Sequence, residues 1–312
     1  MQDATTTSLP HTPPKITDQL AAAARDIKLS HTIFALPFAL LATFLAANAH
    51  GEQAALSISQ FTLIVLCMFF ARSVAMLANR FLDADIDAQN DRTAKRAIPA
   101  GQLTRRFTLS LMVLCTFSFI ALTAGFYLLN TNIYPLLLSP LILAYLIGYS
   151  YTKRFTFLCH VYLGTALALS PIAAAIAINP AYLKEPTTWL LSVMVASWVA
   201  GFDIIYALQD TEFDRKNKIY SMPSSLGTNK AMWISRSLHL NVILMLGLLF
   251  TLSTQLNQLF LIASFLTTAL LVLEHVLVWK SSTNHINMAF FTLNGIISLL
   301  LGLAGVLDIF LR

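Results

Sequence analysis

Charge is scarce in this chain. Only 11% of its 312 residues are Asp, Glu, Lys or Arg, against about 25% in soluble domains, while 57% are hydrophobic and the mean hydropathy is +0.69. A soluble globule is excluded. Glycine and proline number eleven each with no short period, which excludes collagen-like and low-complexity chains, and so apolar a composition excludes disorder. Cysteine is nearly absent: Cys67, Cys115 and Cys159 lie far apart, without C-x-x-C spacing or a nearby His pair, so neither a disulfide nor a sulfur-built metal site is expected. Acidic residues are the minority charge, fifteen against twenty Lys and Arg. The basic residues are scattered among short loops, which suits membrane topology rather than a nucleic-acid face, and no nucleic-acid partner is expected.

What is present is a series of apolar runs. Stretches of about 20 residues suffice to cross a hydrocarbon core of about 30 Å as helices. Nine are expected, at 29–49, 58–82, 107–129, 133–151, 160–179, 188–210, 231–253, 257–279 and 288–311. Runs of this length predict an all-α integral membrane protein rather than a barrel. Residues 1–27 are polar, carry Pro10, Pro13 and Pro14 and lack the apolar core of a signal peptide. They read as a cytoplasmic tail with a short surface helix, ahead of a single membrane domain at 28–312. Across the nine spans, one side receives sixteen Lys and Arg, including Lys28 and Lys280, and the other only Lys184 and Arg312. That asymmetry predicts a cytoplasmic N-terminus and an outer C-terminus.

Eight of the fifteen acids fall in two windows: Asp83, Asp85, Asp87 and Asp91, then Asp203, Asp210, Glu212 and Asp214. Each window closes a span at its cytoplasmic end. Asn79, Asp83 and Asp87 stand at i, i+4 and i+8, which puts three oxygen-bearing side chains along one helical face. Tyr206, Asp210 and Asp214 repeat the spacing, at a common offset that hints at internal duplication. Such carboxylates repel unless cations neutralise them, and an all-oxygen set suits Mg²⁺, which is commonly held by one or two carboxylates plus substrate phosphate. With Arg92, Lys95, Arg96, Lys153, Arg154 and Lys216 alongside, the pattern suits a diphosphate.

At these residues the sequence resembles the UbiA superfamily of membrane prenyltransferases. The signature N-D-x-x-D-x-x-x-D matches Asn79 to Asp87, except that Arg80 stands in place of the acid after the Asn; Asp85 and Asp91 are candidates to supplement the row. The second signature, Y-x-x-x-D-x-x-x-D-x-K, matches Tyr206, Asp210, Asp214 and Lys216. The resemblance implies a nine-helix bundle with a central cavity opening to the cytoplasm, lodged in the bacterial inner membrane among its lipids. It implies that Asp83, Asp87, Asp210 and Asp214 hold Mg²⁺ and the diphosphate of a polyprenyl donor. Metal-assisted ionisation then gives an allylic cation that an aromatic ring captures. Asn79, Arg92, Arg96, Tyr149, Lys153 and Lys216 are the accompanying substrate-binding positions, with Tyr206 catalytic.

Haem O synthases lack the second D-x-x-x-D, so quinone biosynthesis is favoured. The segments Tyr149 to Phe155 and Gly201 to Asp214 resemble a 4-hydroxybenzoate polyprenyltransferase-like subgroup. The favoured acceptor is therefore 4-hydroxybenzoate, with a dihydroxynaphthoate the alternative. Arg72 and Asp203 each precede their row by seven residues, two turns deeper on nearly the same face. An Arg at that depth requires an anion. Two readings stand: Arg72 receives the acceptor's carboxylate while Asp203 acts on its hydroxyl, or the two are structural, paired with each other or with neighbouring backbone. An ion-coupled transporter is the competing class, suggested by Glu274 and Arg72 within spans, but transporters place coupling groups near the midplane and most of these acids crowd one rim. A membrane scaffold, the third class, gives no reason for matched carboxylate spacing. His160, His239, His275 and Glu274 read as packing or hydrogen-bonding residues, and Asn294 as an interhelical hydrogen-bonding group.

Overall fold

Hydrocarbon offers no partners to backbone amides, so each apolar run must close its own hydrogen bonds. The computed structural model describes residues 14–27, 34–49, 56–279, 286 and 289–311, and every regular element among them is helical. An amphipathic α1 (Ile16–Ile27) and the apolar α2 (Leu36–Ala47) precede α3 (Ile58–Asp87), α4 (Arg105–Asn130), α5 (Tyr134–Thr152) and α6 (Cys159–Ile178). Then come α7 (Pro186–Ala207), the short α8 (Thr211–Lys216) and α9 (Met222–Leu226), and the long α10 (Thr228–Leu252), α11 (Gln258–Trp279) and α12 (Asn294–Phe310).

Eight helical segments among the described residues are long and apolar enough to cross a membrane. The remaining expected span, 29–49, is represented by α2, which has twelve residues; positions 29–33 lie outside the described residues, as do Lys28, Lys280 and Arg312. The second span runs five residues beyond its expected end, to Asp87. That extension matters, because it carries the first acidic row on continuous helix. A capping box between Ser57 and Gln60 starts α3, Thr104 caps α4, and Asp308 of α12 accepts from the backbone N–H groups of Asn257, Leu259 and Phe260 at the start of α11. A carboxylate there also complements the helix dipole.

Lipid chains are as apolar as leucine, so close packing and hydrogen bonds hold such bundles together. Helix α7 is the central element, packed on α6 and α10. Its Trp198 is fully enclosed among Phe34, Phe38 and Phe202. A Cβ on Gly164 would sit 2.3 Å from the Ala196 carbonyl oxygen, so only glycine lets α6 and α7 approach this closely. Polar groups close the interior: Trp198 Nε1 donates to Asn294 Oδ1 (2.7 Å) and Asn294 Nδ2 to Glu274 Oε1 (2.9 Å). His239 Nδ1 and His275 Nε2 are 3.0 Å apart. The hydrogen-bonding reading of Glu274, His239, His275 and Asn294 therefore holds. Outward, Leu114, Phe117, Leu137, Leu240, Phe265 and Leu303 are exposed, as a lipid-facing surface requires. This is a multi-pass integral membrane protein.

Candidate active site

The last two turns of α3 bring Asn79, Asp83 and Asp87 to one face. Asp83 is wholly buried and accepts from Asn79 Nδ2 (2.7 Å), Lys153 Nζ (2.6 Å) and Arg154 Nη2 (3.2 Å). Lys153 and Arg154 reach it from the turn after α5, where Arg154 also donates to the carbonyls of Leu82 and Ser150. The chain after α3 folds back, held by Thr93 Oγ1 on the Asp87 carbonyl (3.0 Å), so that Arg96 Nη1 meets both Asp87 oxygens at 2.7 Å.

The second row is built differently. Instead of one helix from Tyr206 to Asp214, a 3-10 turn at Leu208–Asp210 separates α7 from α8. Asp210 nonetheless faces the first row, accepting from Asn90 Nδ2 (3.0 Å) and from Nε (3.0 Å) and Nη2 of Arg92. Arg92 Nη1 donates to the Tyr206 hydroxyl at 2.9 Å. Burial works against the charge of Arg92, but its bonds to Asp210 and the nearby Tyr206 and Asp87 raise its pKa above the ordinary value, so it stays a cation. Asp214 Oδ2 accepts from Ser221 Oγ at 2.8 Å.

Both rows line one cavity of about 320 Å³. Asn79, Asp83, Asp87, Asp210, Asp214, Arg92, Arg96, Lys153, Tyr149, Tyr206, Arg72 and Asp203 all border it, so twelve of the thirteen expected site positions come together. Lys216 does not. In the six-residue α8 it lies two positions, about 200°, beyond inward-facing Asp214, and it is exposed. Asp85 and Asp91 do not supplement the first row either: Asp85 is 79% exposed and bonded to Arg105, and Asp91 is exposed. Glu212 borders a separate, more open groove with Arg215 and Lys230.

Deeper in the cavity the walls turn apolar, with Met76, Leu163, Leu167, Val199 and Phe202. Tyr206 and Phe290 pack with ring centroids 4.1 Å apart, and Phe291 completes an aromatic wall. Arg72, one turn before Met76 on α3, and Tyr149 border the same cavity. Asp203 is paired with His160, Nδ1 to Oδ2 at 2.7 Å, so His160 is one of the hydrogen-bonding residues expected from the sequence, here placed at the site. The pairing of Asp203 with Arg72, an alternative left open above, is thereby replaced. His160, Asn90 and Ser221 were all missed as site residues. The one local signal was the Ser221 to Ser224 capping box that opens α9.

The donor set fits a hard divalent cation: four carboxylates and an amide oxygen, no thiolate. No three His, Cys, Asp or Glu side chains among the described residues converge to hold an ion by themselves. The fit is to a cation that takes part of its coordination from phosphate.

Comparison with known proteins gives a consistent picture. Residues 35–296 match the UbiA prenyltransferase family. A 4-hydroxybenzoate octaprenyltransferase of Aliivibrio fischeri is 32% identical over 186 residues, 58% of this chain and 60% of that protein. One from Vibrio cholerae is 33% identical over 158 residues, 50% and 53% of the two chains. This chain thus spans about 60% of the length of the first of these curated relatives and about half of the second. Among solved structures, the apo UbiA homologue of Aeropyrum pernix K1 superposes with TM-score 0.79 at 28% identity, covering 90% of this chain and 98% of that one. The UbiA homologue of Archaeoglobus fulgidus bound to GPP and Mg²⁺ gives 0.68 at 19% identity, covering 92% and 99%, a likeness of fold.

Proposed function

The chain belongs to the UbiA prenyltransferase family, and we propose that it transfers a polyprenyl group from polyprenyl diphosphate to the ring of 4-hydroxybenzoate, in quinone biosynthesis of the ubiquinone type. The observation that carries this reading is the shared cavity: two acidic rows interleaved with Arg92, Arg96 and Lys153, with Arg72 and Asp203, seven residues before each row, bordering the same space. The names of the curated relatives support the acceptor.

In this reading the donor diphosphate lies between the rows. Arg92, Arg96 and Lys153 bind it with charge-assisted hydrogen bonds, which are shorter and stronger than neutral ones. Mg²⁺ held by Asp83, Asp87, Asp210 and Asp214 supplies Lewis-acid withdrawal of charge from the leaving diphosphate. The prenyl chain follows the apolar wall, and the Tyr206, Phe290 and Phe291 faces offer π density to the allylic carbon as its bond to oxygen breaks. Arg72 receives the acceptor's carboxylate on its planar fork. Asp203 accepts the hydrogen bond of the phenolic hydroxyl and so raises the electron density of the ring. A carbon–carbon bond forms, a ring proton is lost and diphosphate departs. The basic loops set the cavity mouth toward the cytoplasm of the bacterial inner membrane.

Purified protein incubated with Mg²⁺, a polyprenyl diphosphate and equal amounts of 4-hydroxybenzoate and a dihydroxynaphthoate tests the reading. Mass spectrometry should find prenylated 4-hydroxybenzoate as the main product. Prenylated naphthoate alone moves the protein to menaquinone biosynthesis, and no prenylated product refutes the activity.

A further inference from the structure

Helix α1 lies outside the residues that match the family, which begin at position 35, yet it touches the first acidic row. Arg80 Nε stands 3.4 Å from Asp26 Oδ1, with only 7% and 11% of the two side chains exposed. On its other side Arg80 Nη1 donates to Asn79 Oδ1 (3.0 Å), and Asn79 Nδ2 donates to Asp83 Oδ2 (2.7 Å). The helix is anchored independently of that pair. Gln19 Oε1 accepts from the backbone N–H (3.1 Å) and hydroxyl (2.9 Å) of Thr104, while Ala22 and Ala23 pack with Ala97 and Leu103.

We propose that α1 is a working part of the diphosphate site: Asp26 holds the Arg80 guanidinium against Asn79, so that Arg80 aims the Asn79 amide at Asp83 and does not itself add a further cation to the carboxylates of the row. Arg80 is thus a positioning residue, and the inference rests on the donor-site reading above. A buried guanidinium requires an anion, because its desolvation is repaid only by a well-placed partner. Arg80 lines the same cavity as Asp83 and Asp87. Without Asp26, Asp87 is the carboxylate of the row whose charge still acts on Arg80, and a cation drawn onto it competes with the ligand. The departure of Arg80 from the family signature is therefore matched by an acid that the N-terminal helix brings in. Restoring an acid at position 80 alone would set it against Asp26.

The test is charge reversal in the full-length protein: Asp26→Arg, Arg80→Asp and the double variant Asp26→Arg/Arg80→Asp, with Asp26→Asn as the mild case. Calorimetric titration with geranyl diphosphate in Mg²⁺ gives Kd, steady-state assays give both KM values, and thermal unfolding reports folding. Each single reversal should raise Kd and donor KM about tenfold, with acceptor KM little changed, and the double variant should return to within about threefold of the parent. Parental Kd in Asp26→Asn and both single reversals overturns the inference, as does a double variant no better than the worse single one. Loss of thermal stability with Kd unchanged in folded protein overturns it too, since that marks a purely structural pair. Asp83→Ala separates the two levels: if it abolishes binding while the Asp26 variants bind normally, only the role of α1 falls; if it too binds normally, the donor-site reading falls as well.

Discussion

His160 binds Asp203 through Nδ1 (2.7 Å), and its Nε2 accepts from the backbone N–H of Met222 (3.2 Å). An N–H donor at Met222 requires a lone pair on Nε2, so the ring proton sits on Nδ1 and points at the carboxylate. His160 is thereby fixed at both ends, and Asp203 is oriented by it rather than by Arg72. The next residue back, Ser221, holds Asp214. One short segment thus supports both ends of the cavity.

Removing that ring should damage chemistry more than binding. His160→Leu leaves the Met222 amide and one Asp203 oxygen without their partner, a loss of about 1–3 kcal/mol, and should lower kcat about tenfold or more with donor KM little changed. His160→Gln, which can keep one of the two bonds, should recover part of the rate. Steady-state kinetics with both substrates checks this; equal rates in the Leu and Gln variants would contradict it.

Arg72 and Asp203 should divide the acceptor's functions. Arg72→Leu is expected to raise the KM for the aromatic acid while sparing the prenyl donor, because the carboxylate loses its fork. Asp203→Asn is expected to lower kcat with donor KM unchanged. Parallel losses for both substrates would assign these groups to holding the fold.

The basic residues separate cleanly by position. Arg96→Gln and Lys153→Gln remove donors that meet Asp87 and Asp83 and should raise donor KM more than acceptor KM. Lys216→Ala, on the outer face of α8, should leave both values at the parental level. A donor KM raised as much in Lys216→Ala as in Lys153→Gln would place the diphosphate elsewhere.

Packing between α6 and α7 gives a test of stability. Gly164→Ala sets a methyl group 2.3 Å from the Ala196 carbonyl oxygen, and backbone cannot yield as a side-chain tip does. Overpacking of this kind costs about 1–3 kcal/mol. Thermal unfolding in detergent should show a lower Tm than for Gly148→Ala, where a Cβ meets nothing within 4 Å.

The helices and the first acidic row were legible in the sequence because both are local patterns, apolar runs and i, i+4 spacing on continuous helix. The second row was legible in composition but not in shape: a 3-10 turn at Leu208–Asp210 interrupts the helix that the i, i+4 spacing implied, and Lys216, two positions after Asp214 on α8, falls on the opposite face. His160 escaped because its partners lie 43 and 62 residues away. Asp26 escaped because a polar tail gives no sign that one of its acids will be buried against Arg80. Such long-range polar pairs are set by helix packing, and a single chain read for periodicity does not display them.

The central claim is that two acidic rows act together on one prenyl diphosphate, and turnover in four variants tests it most directly. Asp83→Ala, Asp87→Ala, Asp210→Ala and Asp214→Ala, each confirmed as folded protein in detergent, should lose most product formation from a polyprenyl diphosphate and 4-hydroxybenzoate, and the parent should lose it in excess chelator. Undiminished turnover in any two of the four, or in the chelated parent, would contradict the account.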